Sequence, residues 1–195
     1  MPAGIGVKAG FGYSEAMATQ SDALPRFRAP APERPFHVIL IEPEIPPNTG
    51  NVARLCAGTG SPLHLVGPLG FRIDEHAVRR AGVDYWHLVD VRRHETLADA
   101  ERDIARATEN RSRSWFFSGH ATSSYLDVSF EPGDALVFGK ESAGLPRALL
   151  EERREHTVGI PMLGAVRSHN LANAVAIALY EALRRTGQLA GAKLE

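Results

Sequence analysis

FHVILIEPEIPPNTGNVARLCAGT, residues 36–59, holds the transition on which the fold turns. Phe36 to Ile41 is a short apolar run closed by Pro43, the pattern of a buried strand. Asn48 or Thr49 can cap a helix behind it. Val52, Leu55, Cys56 and Thr59 then fall at i, i+3, i+4 and i+7, one face of that helix. A buried strand that runs through a loop into a helix is half of a βαβ unit.

Working downstream, the same alternation repeats. Leu63 to Val66 reads as a second strand, followed by a long loop, a short basic helix near Val78 and a strand near Leu88. Thr96 to Ala107 is a helix with a charged outer face, and Ser114 to Ser118 and Ala135 to Phe138 are buried strands. Pro146 to Glu151 starts a helix at its first turn, where proline is tolerated. Thr157 to Ile160 is the last strand. Leu171, Ala174, Val175, Ala178, Leu179 and Ala182 form an apolar stripe on a final helix that Gly187 ends. The prediction is an α/β fold: a mainly parallel sheet with helices on both faces. Such sheets bind ligands beyond the carboxyl ends of their strands. That points to three loops, Glu42–Asn51, Gly139–Pro146 and Pro161–Asn170.

Upstream, residues 1–35 carry nine glycines and prolines, among them Gly10, Gly12, Pro30 and Pro32, and little apolar periodicity. They read as a flexible N-terminal tail, and residues 36–195 as one domain. At 195 residues and 44% hydrophobic, the chain has enough apolar surface for one sizeable core. No run approaches the ~18 apolar residues of a membrane span, and no basic-then-apolar leader opens the chain. A cytoplasmic protein with no membrane association is the expectation. Cys56 is the single cysteine, which rules out an intrachain disulfide and a cysteine-based zinc site. The histidines show no zinc-ligand spacing, so no metal is expected. A net charge of −1 is unlike a strongly basic nucleic-acid binder. Arginine pairs at Arg79-Arg80, Arg92-Arg93 and Arg153-Arg154 are local, and solvated surface accounts for any one of them.

The three loops carry the candidate chemistry. In the first, three prolines stiffen the chain, and Asn51 and Arg54 share a helix face distinct from that of Leu55 and Cys56. A helix N-terminus beside an arginine suits a phosphate or a developing oxyanion. A helix cap with a surface ion pair explains it equally well. The second loop, Gly139-Lys140-Glu141-Ser142-Ala143-Gly144-Leu145-Pro146, follows a buried strand. It has the wrong spacing for a P-loop. It resembles a nucleophile elbow at Ser142, but Lys140 stands where that pattern needs glycine. In the third, Ser168 or Asn170 can cap the last helix, and Asn173 one turn in is a poor helix former. Cys56 faces inward, as a structural residue does.

Taken together, the motifs resemble a known family. Glu-Pro-Glu-Ile-Pro-Pro-Asn-Thr-Gly-Asn (42–51) with Arg54, Gly-x-Glu-x-x-Gly-Leu-Pro (139–146), and Ile-Pro-Met (160–162) with Ser-x-Asn-Leu-x-Asn-Ala-Val (168–175) are similar to the SPOUT superfamily of RNA methyltransferases. Within it they resemble the small tRNA wobble-nucleotide 2′-O-methyltransferases of the TrmL type, over about Phe36 to Leu189. Arg79-Arg80-Ala81-Gly82-x-Asp84-Tyr85 shares that likeness. The resemblance implies a deep C-terminal trefoil knot, a device absent from ordinary folds. It implies a homodimer that binds S-adenosyl-L-methionine and a tRNA anticodon stem-loop. Its substrate would be the ribose of cytidine 34 or uridine 34, in tRNA-Leu isoacceptors. Phe117, Gly139, Glu141, Ile160 and Ser168 fall at positions tied to the methyl donor. Ala143, His169 and Ala172 replace the arginine, methionine and serine usual there, differences that bear on the choice of tRNA.

A ribose hydroxyl that attacks a sulfonium methyl builds negative charge on oxygen. Arginine holds its proton in proteins, so the implied role of Arg54 is charge stabilisation rather than base catalysis. Asn51, Ser168 and Asn170 would share the catalytic site, and Arg54 and Tyr180 would contact RNA. The alternatives are methylation of another tRNA or rRNA site, a Ser142-dependent hydrolase, and a noncatalytic RNA-binding relative.

Overall fold

The structure is a computed structural model that describes residues 26–70 and 86–194. The basic helix near Val78 and the Arg79–Tyr85 motif lie outside the described residues, as does most of the N-terminal tail. In chain order the elements are β1 (Phe27–Arg28), β2 (His37–Ile41), α1 (Pro46–Thr59), β3 (Leu63–Val66), β4 (Val91–His94), α2 (Leu97–Ala107) and β5 (Ser114–Phe117). There follow β6 (Ser123–Ser124), β7 (Ala135–Phe138), α3 (Arg147–Glu152), β8 (Thr157–Gly159), α4 (Leu171–Arg185) and β9 (Lys193–Leu194).

Seven strands form one sheet in the order β4-β3-β2-β7-β5-β8-β6, every neighbouring pair parallel. The predicted mainly parallel sheet with helices on both faces is therefore what forms. One face packs Val38, Leu40, Leu63, Leu65 and Phe138 against Val52, Ala53 and Cys56 of α1 and Val175, Ala178 and Leu179 of α4. The other packs Ile39, Val66, Phe116 and Val137 against Ala100 and Ile104 of α2 and Leu149 and Leu150 of α3. Alternate residues of β2 thus feed opposite cores. That is why these strands read as continuous apolar runs.

Several boundaries differ from expectation, for physical reasons. Leu88 lies in a 3₁₀ turn, Trp86–Leu88, and the strand begins at Val91. Pairing of β4 with β3, Leu63 opposite Val91 and Val66 opposite His94, sets that start. Neither Asn48 nor Thr49 caps α1; Ile45 is the N-cap and makes no side-chain cap bond. Pro46 and Pro47 fill the first two helical positions and have no N–H, so two of the usual unsatisfied donors do not exist. Pro146 stands just before α3 in extended conformation rather than within its first turn. Asn170 caps α4, its Oδ1 accepting from Ala172 N at 2.9 Å.

The described part of the N-terminal segment runs along the domain. Phe27 and Arg28 pair antiparallel with Leu194 and Lys193. Gln188 Nε2 donates to Arg34 O at 2.9 Å, and Arg34 Nη2 to Arg111 O at 3.3 Å. On the α2 face, His37 Nδ1 and His64 Nε2 are 3.1 Å apart, and His64 Nδ1 and His94 Nε2 are 3.0 Å apart. Burial holds His37 down at about 4 and His64 at about 3, so both rings are neutral at neutral pH.

Candidate active site

The carboxyl ends of the central strands converge on the three predicted loops. Phe117 ends β5, Gly139 follows β7 directly and Ile160 follows β8, and these strands are neighbours in the order β7-β5-β8. Chain folding therefore brings together three positions separated by 43 residues of sequence.

Glu141 ties the first two loops to each other. Its Oε2 accepts from Glu44 N at 2.8 Å, and its Oε1 accepts from Ile45 N at 3.3 Å and Asn48 Nδ2 at 2.9 Å. Asn48 Oδ1 accepts from Asn170 Nδ2 at 2.9 Å, which extends the link to the third loop. Two further contacts reinforce the clamp. Ser142 donates to Glu44 through its backbone N at 3.0 Å and its hydroxyl at 2.9 Å. Those bonds hold the Glu44 carboxyl below the usual carboxylate range. Lys140 Nζ reaches Glu42 Oε2 at 2.8 Å, and the pairing raises the Lys140 ammonium above its usual value. Glu42 itself takes a left-handed φ of 47°, uncommon for a residue with a side chain, where the chain turns out of β2.

The second loop doubles back on itself. Gly144 N donates to Lys140 O at 2.8 Å, and Gly144 has φ +70°. A Cβ on Gly139 would lie 2.1 Å from Gly144 C, so only glycine fits there. The β8–α4 loop approaches the loop after β5: a Cβ on Gly119 would lie 3.8 Å from Arg167 O, and one on Gly159 would lie 3.2 Å from Ser118 O.

The remaining sequence candidates fall into groups. Asn51 and Arg54 are exposed on one face of α1, while Cys56 is buried. Ser168 and Asn170 are exposed in the loop that enters α4. Phe117 stacks on Phe138 with centroids 4.7 Å apart, so its ring belongs to the core and only its backbone borders the loops. Tyr180 is half-exposed on α4, about 15 Å along the helix from Asn170, and stands apart from the clamp. Ser142 is exposed, and its hydroxyl is committed to Glu44. Sequence reasoning missed Glu44 and Asn48 as partners. Asn48 was legible only as a cap, but Ile45 precedes it as the N-cap and the Ile45 amide is taken by Glu141 instead.

A cavity of about 850 Å³ lies beside the second loop. The loops after β5 and β7 and the inner side of α3 line it, with Lys140, Arg147 and Arg154 as cationic groups. Ala143 and Gly144 border it; Phe117, Gly139, Ile160 and Ser168 do not. Its size is in the range of small-molecule and cofactor sites. By its lining the cavity is therefore distinct from the edge formed by Phe117, Gly139, Ile160 and Ser168, where the close turn at Gly139 and Gly144 leaves main-chain groups available to a ligand.

A parallel sheet with such a clamp at its carboxyl edge defines a ligand-binding α/β domain. Residues 35–180 match the model of the SpoU rRNA Methylase family, and the chain belongs to that family. It is an RNA methyltransferase by descent. It is 48% identical over 155 residues to the tRNA (cytidine(34)-2'-O)-methyltransferase of Acidovorax sp. (strain JS42), covering 79% of this chain and 94% of that one. A solved structure described as "Structural insights into the 2-OH methylation of C/U34 on tRNA" superposes with a TM-score of 0.70 at 45% identity. It spans 78% of this chain and 96% of that chain. The SpoU methyltransferase AviRb from Streptomyces viridochromogenes, solved in complex with AdoMet, superposes with a TM-score of 0.67 at 27% identity. It spans 81% of this chain and 60% of that chain. No helix among the described residues is long and apolar enough to cross a membrane.

Proposed function

We propose that the protein methylates the ribose 2′-hydroxyl of the wobble nucleotide, cytidine 34 or uridine 34, in tRNA, using S-adenosyl-L-methionine. It acts in the cytoplasm as a homodimer, on tRNA-Leu isoacceptors. The observation that carries this reading is the hydrogen-bonded joining of all three motif loops through Glu141, Asn48 and Asn170, in a chain so close to named wobble methyltransferases. The Ser142 hydrolase has no such support, since its hydroxyl is spent on Glu44.

When bound, S-adenosylmethionine supplies an electrophilic methyl group. Backbone groups at Phe117, Gly139 and Ile160, with Ser168, would hold that donor at the carboxyl edge of the sheet. Glu141 acts on it indirectly, because its oxygens are engaged in fixing the first loop. Arg54 lies on the exposed face of α1 with Asn51 and stabilises the charge that grows on the ribose oxygen. Asn170 caps α4 and, through Asn48, fixes where α4 begins relative to α1. The knot implied by the resemblance finds support in β8 lying between β5 and β6 while the chain beyond it returns to α1. Leu163, Val166 and Tyr180 are exposed apolar groups suited to a second subunit, which would also bring Tyr180 to RNA bound by the partner.

The test is incubation of the full chain with isotopically labelled S-adenosylmethionine and tRNA lacking the modification, followed by nucleoside mass spectrometry. Labelled 2′-O-methylcytidine or 2′-O-methyluridine is expected. Label on a base, or none at all, overturns the reading.

A further inference from the structure

The α2 face of the sheet carries a cluster that methyl transfer does not use. His37, His64 and His94 come from β2, β3 and β4, which are adjacent and parallel, and all three point to the α2 side with Ile39 and Val66. Asp103 on α2 and Arg92 on β4 complete the group. One ligand atom each from His64, His94 and Asp103 lies within 4.8 Å of the others. From these positions we propose that His64, His94 and Asp103 bind one borderline divalent transition-metal ion, zinc being the reference case, which fastens α2 to β3 and β4.

Three features of the geometry favour this. First, His64 Nδ1 and His94 Nε2 are 3.0 Å apart. Two nitrogens on one tetrahedral zinc, at ~2.0–2.1 Å each, stand roughly 3.3 Å apart. The ion can therefore replace the shared proton with a small outward shift of His94, which is only part-buried. Second, a supporting layer already exists. A ligating histidine usually donates its other N–H to a fixed acceptor. His64 coordinating through Nδ1 would donate Nε2–H to His37 Nδ1, now 3.1 Å away. Third, Arg92 does not consume the carboxylate. Its Nη1 takes only Oδ2 of Asp103, at 2.8 Å, while its Nε and Nη2 face Asp90 at 2.6–3.2 Å. Asp90 thereby offsets the guanidinium charge, and Oδ1 of Asp103 remains for the ion. Two imidazoles and a carboxylate are a zinc donor set, with water in the fourth position. Sequence spacing hides the site because each histidine sits on a different strand, 27 and 30 residues apart.

The inference does not depend on the methyltransferase reading and survives its failure. To test it, the full-length protein is stripped with EDTA, dialysed and titrated with zinc chloride against a chromophoric chelator. Wild type is expected to bind one equivalent and to melt at a higher temperature with zinc than with EDTA. His94→Ala and Asp103→Asn, both at part-buried positions, should fold by circular dichroism in EDTA, bind zinc at least about tenfold more weakly and lose the thermal shift. Cobalt(II) in place of zinc should give intense visible bands of low coordination number in wild type and not in His94→Ala. Absence of stoichiometric binding overturns the proposal. So does equal zinc affinity in wild type and both variants, which would put the ion on histidines elsewhere.

Discussion

Glu141 Oε1 accepts a hydrogen bond from Asn48 Nδ2 at 2.9 Å, across 93 residues of sequence. The same carboxylate accepts from two consecutive backbone amides, Glu44 N and Ile45 N. One side chain therefore fixes the entry to α1, the helix that carries Asn51 and Arg54.

Glu141→Gln should break that arrangement. Glutamine keeps one acceptor oxygen and turns an NH2 group toward donors that need an acceptor. Hydrogen bonds to a charged group are worth about 1.5–3 kcal/mol each, and the site is half-buried, so a net loss of about 2 kcal/mol is expected. Urea unfolding measures it. Methylation should fall along with stability, because the loop that aims Arg54 loosens.

Two glycines offer opposite outcomes for one chemical change. Gly139→Ala places a methyl group 2.1 Å from Gly144 C, in backbone that cannot yield without opening the turn. A cost of about 3 kcal/mol and loss of donor binding by calorimetry are expected. Gly58, in α1, has nothing within 4 Å of its added Cβ. Gly58→Ala should raise stability by about 0.5–1 kcal/mol and leave donor affinity unchanged.

Ser142→Ala removes the hydroxyl bond to Glu44 at an exposed position. The backbone bond from Ser142 N remains. Methylation should stay within about threefold of wild type and stability within about 1 kcal/mol. Abolished turnover with an intact fold would return this serine to the chemistry.

Cys56 is buried on α1, and burial pushes its thiol up to about 12. The thiolate is the reactive form, and a raised pKa empties it through the whole neutral range. Native protein at pH 8 should resist iodoacetamide for as long as it stays folded, and unfolding in urea should expose one reactive thiol. Mass spectrometry of the alkylated protein reads both states.

The central strands β2, β3, β5 and β7 were legible because they are buried on both faces. Runs such as Ile39-Leu40 and Leu136-Val137 leave no polar alternation to misread. The start of β4 was less so: Val89 and Val91 are both apolar, and only pairing with Leu63 decides which opens the strand. The motif loops were legible as loops and, through their resemblance, as a site. How they hold together was not, because Glu141–Asn48 and Asn48–Asn170 are contacts between distant segments. Local pattern assigned Asn48 to capping, a task that Pro46 and Pro47 had already made unnecessary. The histidine row was hidden for the same reason. Its members are neighbours across a sheet, and linear spacing carries no trace of that.

The central claim is methyl transfer to one ribose under the control of Arg54. Unmodified tRNA-Leu is incubated with S-adenosylmethionine and either wild type or Arg54→Ala, then cut into oligonucleotides and mapped by tandem mass spectrometry. The account predicts a methyl group on the ribose of nucleotide 34, formed about 10²–10³-fold more slowly by Arg54→Ala, since one charge-stabilising donor is lost. Methylation elsewhere in the tRNA, or equal rates for the two proteins, would contradict it.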